Sequence, residues 1–226
     1  MASSPTSASV MPEMIVIPDD YEAIPVSLLS IPTRYQGDVD SCLIPFGLIT
    51  DRVQKLAEMV YEQYKGKELH MLCLLKGAYR FFSDLLKEIS ALSAAADAPD
   101  VVKLSLHFVR VKSYHNTEST GDVKISGIDL DDLAGKNVLI VEDIIDTGTT
   151  MVAFTAELQK VTPASVEVIS LLVKRTPRSN GFLPHYAGFS IPDKFLVGYA
   201  LDLNEVFRDL NHICIISEAG IEKYRE

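Results

Sequence analysis

Residues 142–150 read Glu-Asp-Ile-Ile-Asp-Thr-Gly-Thr-Thr, so two adjacent carboxylates, Glu142 and Asp143, and a third, Asp146, stand directly ahead of a run of hydroxyls and one glycine. Asn137 to Val141 before them read as a short buried strand, and Met151, Phe154, Thr155 and Leu158 after them fall on one helical face. A small-residue loop between a strand and a helix amino terminus holds an anion: the first N–H groups of the helix lack partners and carry the positive end of its dipole. Thr147, Thr149 and Thr150 add hydroxyl donors, and Gly148 allows a close backbone approach. No GxxxxGK[ST] and no GxGxxG occurs, so neither the P-loop nor the dinucleotide fingerprint is present. Two carboxylates beside a phosphate cradle suit sugar hydroxyls, or a Mg2+ ion that the ligand also holds.

The rest of the chain must position that stretch. Leu69 to Leu75 reads as a second buried strand with Lys76-Gly77 at its carboxyl end, where ligands bind in open α/β sheets. Val166 to Val173 reads as a third, ending in Lys174-Arg175. Helical periodicity follows Thr50, taken as an N-cap, through Val53, Leu56, Ala57, Val60 and Tyr64, and recurs at Phe82, Leu85, Leu86 and Ile89. Strands alternating with helices predict a parallel, doubly wound α/β sheet. Leu104, Leu106 and Phe108 alternate with polar neighbours as in a half-buried strand, and Ile15 to Ile17 suit a short edge strand. Residues 111–127 are polar and aperiodic; a loop this long inside a domain suits an active-site lid. Residues 1–12 read as a disordered tail and 13–226 as one domain, with the short apolar runs of 176–226 forming most of a small extra lobe beside N-terminal residues.

At 226 residues and 47% apolar content the chain supports one good core. A net charge of −10 argues against a nucleic-acid protein, so positive charge for an anionic ligand must be local. The candidates are Lys76, Arg80, Arg110, Lys112, Lys174, Arg175, Arg178 and Arg208. Cys42, Cys73 and Cys214 are too far apart for a metal motif and imply no disulfide framework, which suits a reducing compartment. No apolar segment long enough to span a membrane and no signal peptide is legible, so the expectation is a cytoplasmic protein without nucleic-acid or membrane partners.

VLIVEDIIDTGTT resembles the phosphoribosyl-pyrophosphate motif of type I phosphoribosyltransferases. LLKGAYRFFSDL (74–85), VRVKSYHNTESTGD (109–122), SLLVKRTPRS (170–179) and DKFLVGYALDLNEVFRDLNH (193–212) resemble the hypoxanthine-guanine phosphoribosyltransferases of animals, and the likeness runs from about Ile44 to Tyr224. It implies the type I phosphoribosyltransferase fold with a hood lobe. It also implies purine salvage: transfer of phosphoribosyl from phosphoribosyl pyrophosphate to hypoxanthine or guanine, giving IMP or GMP and pyrophosphate, with Mg2+ as cofactor.

Position by position, the resemblance makes Asp146 the group acting on purine N7, and assigns Lys174, Phe195, Leu196 and Asp202 to the base. Lysine is a donor only and suits O6; a Phe195 ring face would stack on a base for about 1–3 kcal/mol. Glu142 and Asp143 take the ribose, Asp146 to Thr150 the 5′-phosphate, and Lys76, Gly77 and Arg208 the pyrophosphate. Asp202, Glu142 and Asp143 are the implied metal ligands, and the 111–127 lid has Ser113 and Tyr114 at its working end. Homodimers or homotetramers are implied as well. Two positions depart from the pattern: Ala78 stands where animal relatives commonly have a second glycine, and Thr149 where many place a lysine. They motivate the alternative of a catalytically weak nucleotide-binding or regulatory relative with the same fold.

Overall fold

The computed structural model describes residues 12–113 and 123–225. Tyr114, the middle of the expected lid and residues 1–11 of the expected tail lie outside them. In chain order the elements are β1 Ile15–Val16, β2 Ile24–Pro25, β3 Val39–Ile44, α1 Phe46–Tyr64, β4 Glu68–Leu74, α2 Tyr79–Ala94, β5 Lys103–Ser113, β6 Val123–Ser126, β7 Asn137–Ile145, α3 Thr149–Gln159, β8 Ser165–Arg175, β9 Tyr186–Pro192, β10 Leu196–Val197, β11 Ile213–Ile216 and α4 Glu218–Lys223.

The central strands are apolar on both faces because both faces are covered. Val138 to Val141 are fully buried. Helices α1 and α2 pack into the cluster holding Leu56, Phe81, Leu85, Met71 and Leu139, while α3 supplies Met151, Phe154 and Leu158 to the cluster holding Leu72, Ile140 and Val168. The strand order is β1-β9-β8-β7-β4-β5-β6, parallel except for the β5–β6 pairing. From β4 the chain steps outward to β5, then returns to the other side of β4 as β7. The order therefore reverses between β4 and β7, and the crevice at such a reversal is where a ligand can enter between strand ends.

A second sheet, β10-β11-β3-β2, forms a lobe over that crevice around Tyr35, Val39, Val197, Phe207 and Leu210. Cys42 and Cys214 are direct partners across its β3–β11 pairing, and all three cysteines are buried and free. Among the described residues no helix is long and apolar enough to cross a membrane.

Four expectations need correction. Helix α1 begins at Phe46 after Pro45, whose fixed φ suits a helix start; Thr50 is inside the helix, its hydroxyl donating to the Phe46 carbonyl at 3.0 Å. The 111–127 stretch is not wholly aperiodic, since Arg110 to Ser113 pair with Val123 to Ser126 as an antiparallel ribbon. Leu106 and Phe108 keep the predicted alternation but are 42% and 51% exposed. On that face α2 meets Phe108 through Phe82 and Leu104 packs partly against the core, whereas Leu106 is left open. Finally, β9 is a strand of the main sheet rather than of the extra lobe, because Ala187, Phe189 and Ile191 are needed to bury the flank of β8.

Candidate active site

Strand β7 delivers Glu142, Asp143 and Asp146 to its carboxyl end. Glu142 Oε1 accepts the Asp143 N–H at 3.0 Å. Burial first, and then the adjacent Asp143 carboxylate, holds the Glu142 carboxyl well above its usual range. Gly148 turns the chain at φ +81 into α3, a conformation that glycine adopts without strain. The Thr147 hydroxyl donates to that of Thr149 at 3.1 Å, so both line the mouth of the helix. Glu142, Asp146, Thr147, Gly148, Thr150 and Met151 border a concavity of ≈ 130 Å³ at this helix start. The loop after β8 closes one wall: Asn180 N–H donates to the Thr147 carbonyl at 2.9 Å, and a Cβ on Gly148 would collide with Asn180 and Phe182.

The end of β4 meets the end of β7 at Gly77, where a Cβ would run into the Asp143 carboxylate. A side chain is thus excluded there by a residue 66 positions away in the chain, and sequence inspection gave no sign of it. Ala78 has φ −74 and ψ −9, ordinary right-handed values, so this position has no need of a second glycine. Thr149 opens α3 and leaves its N–H groups in place.

The expected base site is a network of four charges. Lys174 Nζ donates to Asp146 Oδ2 at 3.4 Å and lies 3.9 Å from Asp193 Oδ1; its side chain is only 11% exposed. Arg178 Nη2 approaches Asp146 Oδ1 at 3.3 Å and Asp193 Oδ1 at 3.9 Å. Phe195 presents a half-exposed ring just before β10, whereas Leu196 and Val197 beside it are buried. A phenylalanine within an apolar run is ordinarily core, so an uncovered ring at this strand end is a surface available for stacking.

The expected pyrophosphate residues come together from distant segments. Lys76 follows the cis Leu75–Lys76 peptide. Arg208 is anchored by Nη1 to the Ala200 carbonyl at 2.7 Å and by Nη2 to Asp202 Oδ1 at 2.9 Å. Glu205 lies between the two cations, 2.9 Å from Lys76 Nζ and 3.2 Å from Arg208 Nη2. Asp202 also accepts the Glu205 N–H through Oδ2 at 2.8 Å. Among the described residues no three His, Cys, Asp or Glu side chains converge into a metal cage, so Glu142, Asp143 and Asp202 do not form one ligand set by themselves. The adjacent acids Glu142 and Asp143 nevertheless fit Mg2+, which takes one or two carboxylates and completes its shell with water and ligand phosphates.

Two of the cations singled out by sequence are structural. The Arg80 guanidinium stacks over Phe46 and Tyr199 and donates to Asn211 Oδ1 at 2.7 Å. Arg175 ties β8 to the N-terminal segment through Asp19 Oδ1 and the Ile17 carbonyl, both at 2.6 Å. Three residues of the site carried no sequence assignment: Asp193, Asn180 and Glu205. Asp193 and Glu205 lie inside the 193–212 motif; Asn180 had only its Asn-Gly turn as a signal. Arg178 was singled out for charge alone. The Ser113 backbone ends β5; the side-chain arrangement at the lid is outside the described residues.

Residues 47–204 match the phosphoribosyl transferase domain family. The chain is 52% identical over 212 residues to the hypoxanthine-guanine phosphoribosyltransferase of Bos taurus, covering 93% of this chain and 96% of that one, and equally to that of Homo sapiens. It is 50% identical over 218 residues to the Rattus norvegicus enzyme of the same name, covering 96% and 99%. Among solved structures, hypoxanthine-guanine phosphoribosyltransferase from Schistosoma mansoni in complex with IMP superposes with a TM-score of 0.78 at 35% identity, covering 94% of this chain and 99% of that one.

Proposed function

We propose, from the premise that the chain belongs to the hypoxanthine-guanine phosphoribosyltransferase family, that it is a purine-salvage enzyme. It transfers the 5-phosphoribosyl group of phosphoribosyl pyrophosphate to N9 of hypoxanthine or guanine, releasing pyrophosphate and IMP or GMP. The observation that carries the residue assignment is the pair Lys174 Nζ and Asp146 Oδ2, 3.4 Å apart beside the phosphate cradle. A donor and an acceptor side by side complement O6 and N7–H on one purine edge, and leave the 6-amino group of adenine facing another donor.

In this reading Asp146 accepts the N7 proton while N9 attacks the ribose, a transfer typically worth about 10² to 10⁴ in rate. Lys174 orients the base through O6, Phe195 stacks on the ring, and backbone near Leu196 and Asp202 meets the base edge. Asp193 and Arg178 hold Lys174 and Asp146 in place until the base arrives. The Thr147–Thr150 N–H groups and hydroxyls bind the 5′-phosphate. Glu142 and Asp143 receive the ribose hydroxyls, which relieves the raised carboxyl of Glu142 by giving it donors. Lys76, Gly77 and Arg208 receive the leaving pyrophosphate. Mg2+ would supply positive charge that offsets the substrate phosphates; Glu142, Asp143 and Asp202 are the residues that would hold it, as separate ligands rather than one preformed cage. Closure of the 111–127 loop, with Ser113 and Tyr114 at its working end, would keep water from the activated sugar.

The cytosol is the proposed setting, which the three free cysteines suit, and a homodimer or homotetramer the proposed assembly. The reading of a weakened nucleotide-binding relative loses one of its motives, since Ala78 occupies an unstrained conformation. The test is product formation by purified protein with phosphoribosyl pyrophosphate and Mg2+, offering hypoxanthine, guanine, xanthine and adenine separately. IMP and GMP are expected, with no AMP; nucleotide binding without any product would overturn the enzymatic reading.

A further inference from the structure

Lys76 and Arg208 arrive already bridged by a carboxylate. Glu205 Oε2 accepts from Lys76 Nζ at 2.9 Å, and Oε1 from Arg208 Nη2 at 3.2 Å. The turn that carries it is strained. Leu203 and Val206 exchange N–H···O bonds of 3.3 and 3.0 Å, and the two residues between them, Asn204 and Glu205, have φ +50 and +68. Asparagine tolerates that region; glutamate enters it at a cost and is uncommon there. Asn204 Nδ2 donates to the Tyr224 carbonyl at 2.6 Å and Glu205 N–H to Asp202 at 2.8 Å, so the turn is pinned on both sides. Burial does not account for the side chain, which is 61% exposed. Lys76 first, then Arg208, hold the Glu205 carboxyl below its usual range.

We propose that Glu205 is an internal substitute for pyrophosphate: it occupies Lys76 and Arg208 while the site is empty, yields them when the substrate enters, and returns to help expel the product. This rests on the reading that Lys76 and Arg208 receive pyrophosphate. The charges make it work. Two cations face two carboxylates, Glu205 and Asp202, so the empty site is locally neutral. An arriving phosphate group exchanges for Glu205, and the displaced carboxylate then repels it. The exchange is facile because Glu205 is solvated, and exposed ion pairs hold weakly. Positioning of Arg208 does not depend on Glu205, since the Ala200 carbonyl and Asp202 already fix the guanidinium. The two roles predict opposite signs. A substitute weakens pyrophosphate binding; a positioning residue would strengthen it.

The experiment measures pyrophosphate as a product inhibitor against phosphoribosyl pyrophosphate in the full-length Mg2+-loaded protein, wild type beside Glu205→Gln and Glu205→Ala. The inhibition constant and the KM for phosphoribosyl pyrophosphate should both fall about 3- to 10-fold, with the KM for hypoxanthine unmoved. Calorimetric titration with magnesium pyrophosphate should show the same sign without turnover. Equal or weaker binding in both variants, with wild type forming IMP, overturns the role of Glu205 alone. Wild type that forms no IMP overturns the underlying reading instead, and the calorimetry still decides whether Glu205 competes with pyrophosphate.

Discussion

The two ends of the crevice are built alike, and the proposed mechanism has them work in opposite senses. At the base end one carboxylate, Asp146, stands between two cations, Lys174 and Arg178. At the pyrophosphate end one carboxylate, Glu205, stands between Lys76 and Arg208. Asp146 sits just past a buried central strand and is, in the proposed mechanism, itself the working group. Glu205 rides on an exposed turn, and the proposed working groups are the cations around it. A carboxylate in a cage of cations is therefore not informative by itself; what it is mounted on decides whether it acts or gives way.

The largest separation between the two ends should come from amide substitutions. Asp146→Asn should lower kcat at least about 100-fold in steady-state assays with hypoxanthine, while Glu205→Gln acts mainly on pyrophosphate affinity and changes kcat by less than about 10-fold. Comparable losses in both variants would erase the distinction. Next in size, Lys174→Met should lower kcat/KM for hypoxanthine about 10- to 100-fold by removing a charged hydrogen bond, leaving the KM for phosphoribosyl pyrophosphate near wild type.

Glu142→Gln tests the cradle that both ends share. Burial and Asp143 raise this carboxyl, so the folded protein binds its proton more tightly than the unfolded chain. The stability it contributes is full below about pH 4.5 and is lost as pH rises through the raised value. At neutral pH the amide should raise the ligand-free Tm by about 2–4 °C and weaken phosphoribosyl-pyrophosphate binding. Differential scanning fluorimetry with and without substrate reads both; a lowered Tm would contradict the burial argument.

The smallest effect belongs to a pair outside both ends. His70 Nδ1 and His107 Nε2 lie 3.0 Å apart, and burial, then His70, lowers the His107 pKa from 6.5. The unfolded chain takes that proton more readily. Stability is full above about pH 6.5 and falls as pH drops below it. His107→Gln should flatten the decline in Tm between pH 7 and 5.5 by about 1–2 °C, with no change in kinetics at neutral pH.

Much of the cradle was legible because it is local. Strand period, small-residue loop and helix period for 137–159 occupy one continuous stretch, and each is set by neighbours a few residues away. The apolar runs of β4, β7 and β8 announced a covered parallel sheet for the same reason. Thr50, Leu106 and Phe108 misled because a cap and an alternating pattern say what a segment can do, not which neighbour covers it. β9 was lost within a tract whose turn residues suggested a separate lobe.

Sequence alone determined which chemistry was available: two acids, a third acid, a hydroxyl-rich anion loop and a handful of lysines and arginines in recurring motifs. Only the tertiary structure decided their partners. It set Gly77 against Asp143, Arg178 and Lys174 around Asp146, and Glu205 between Lys76 and Arg208 from 129 positions away. It also committed Arg80, equally plausible on paper, to joining α2 to the second lobe, and Arg175 to tying β8 to the N-terminal segment. The physical reason is range. Backbone preferences and periodicity act over a few residues, whereas which charges neutralise one another depends on strand order and on the reversal between β4 and β7.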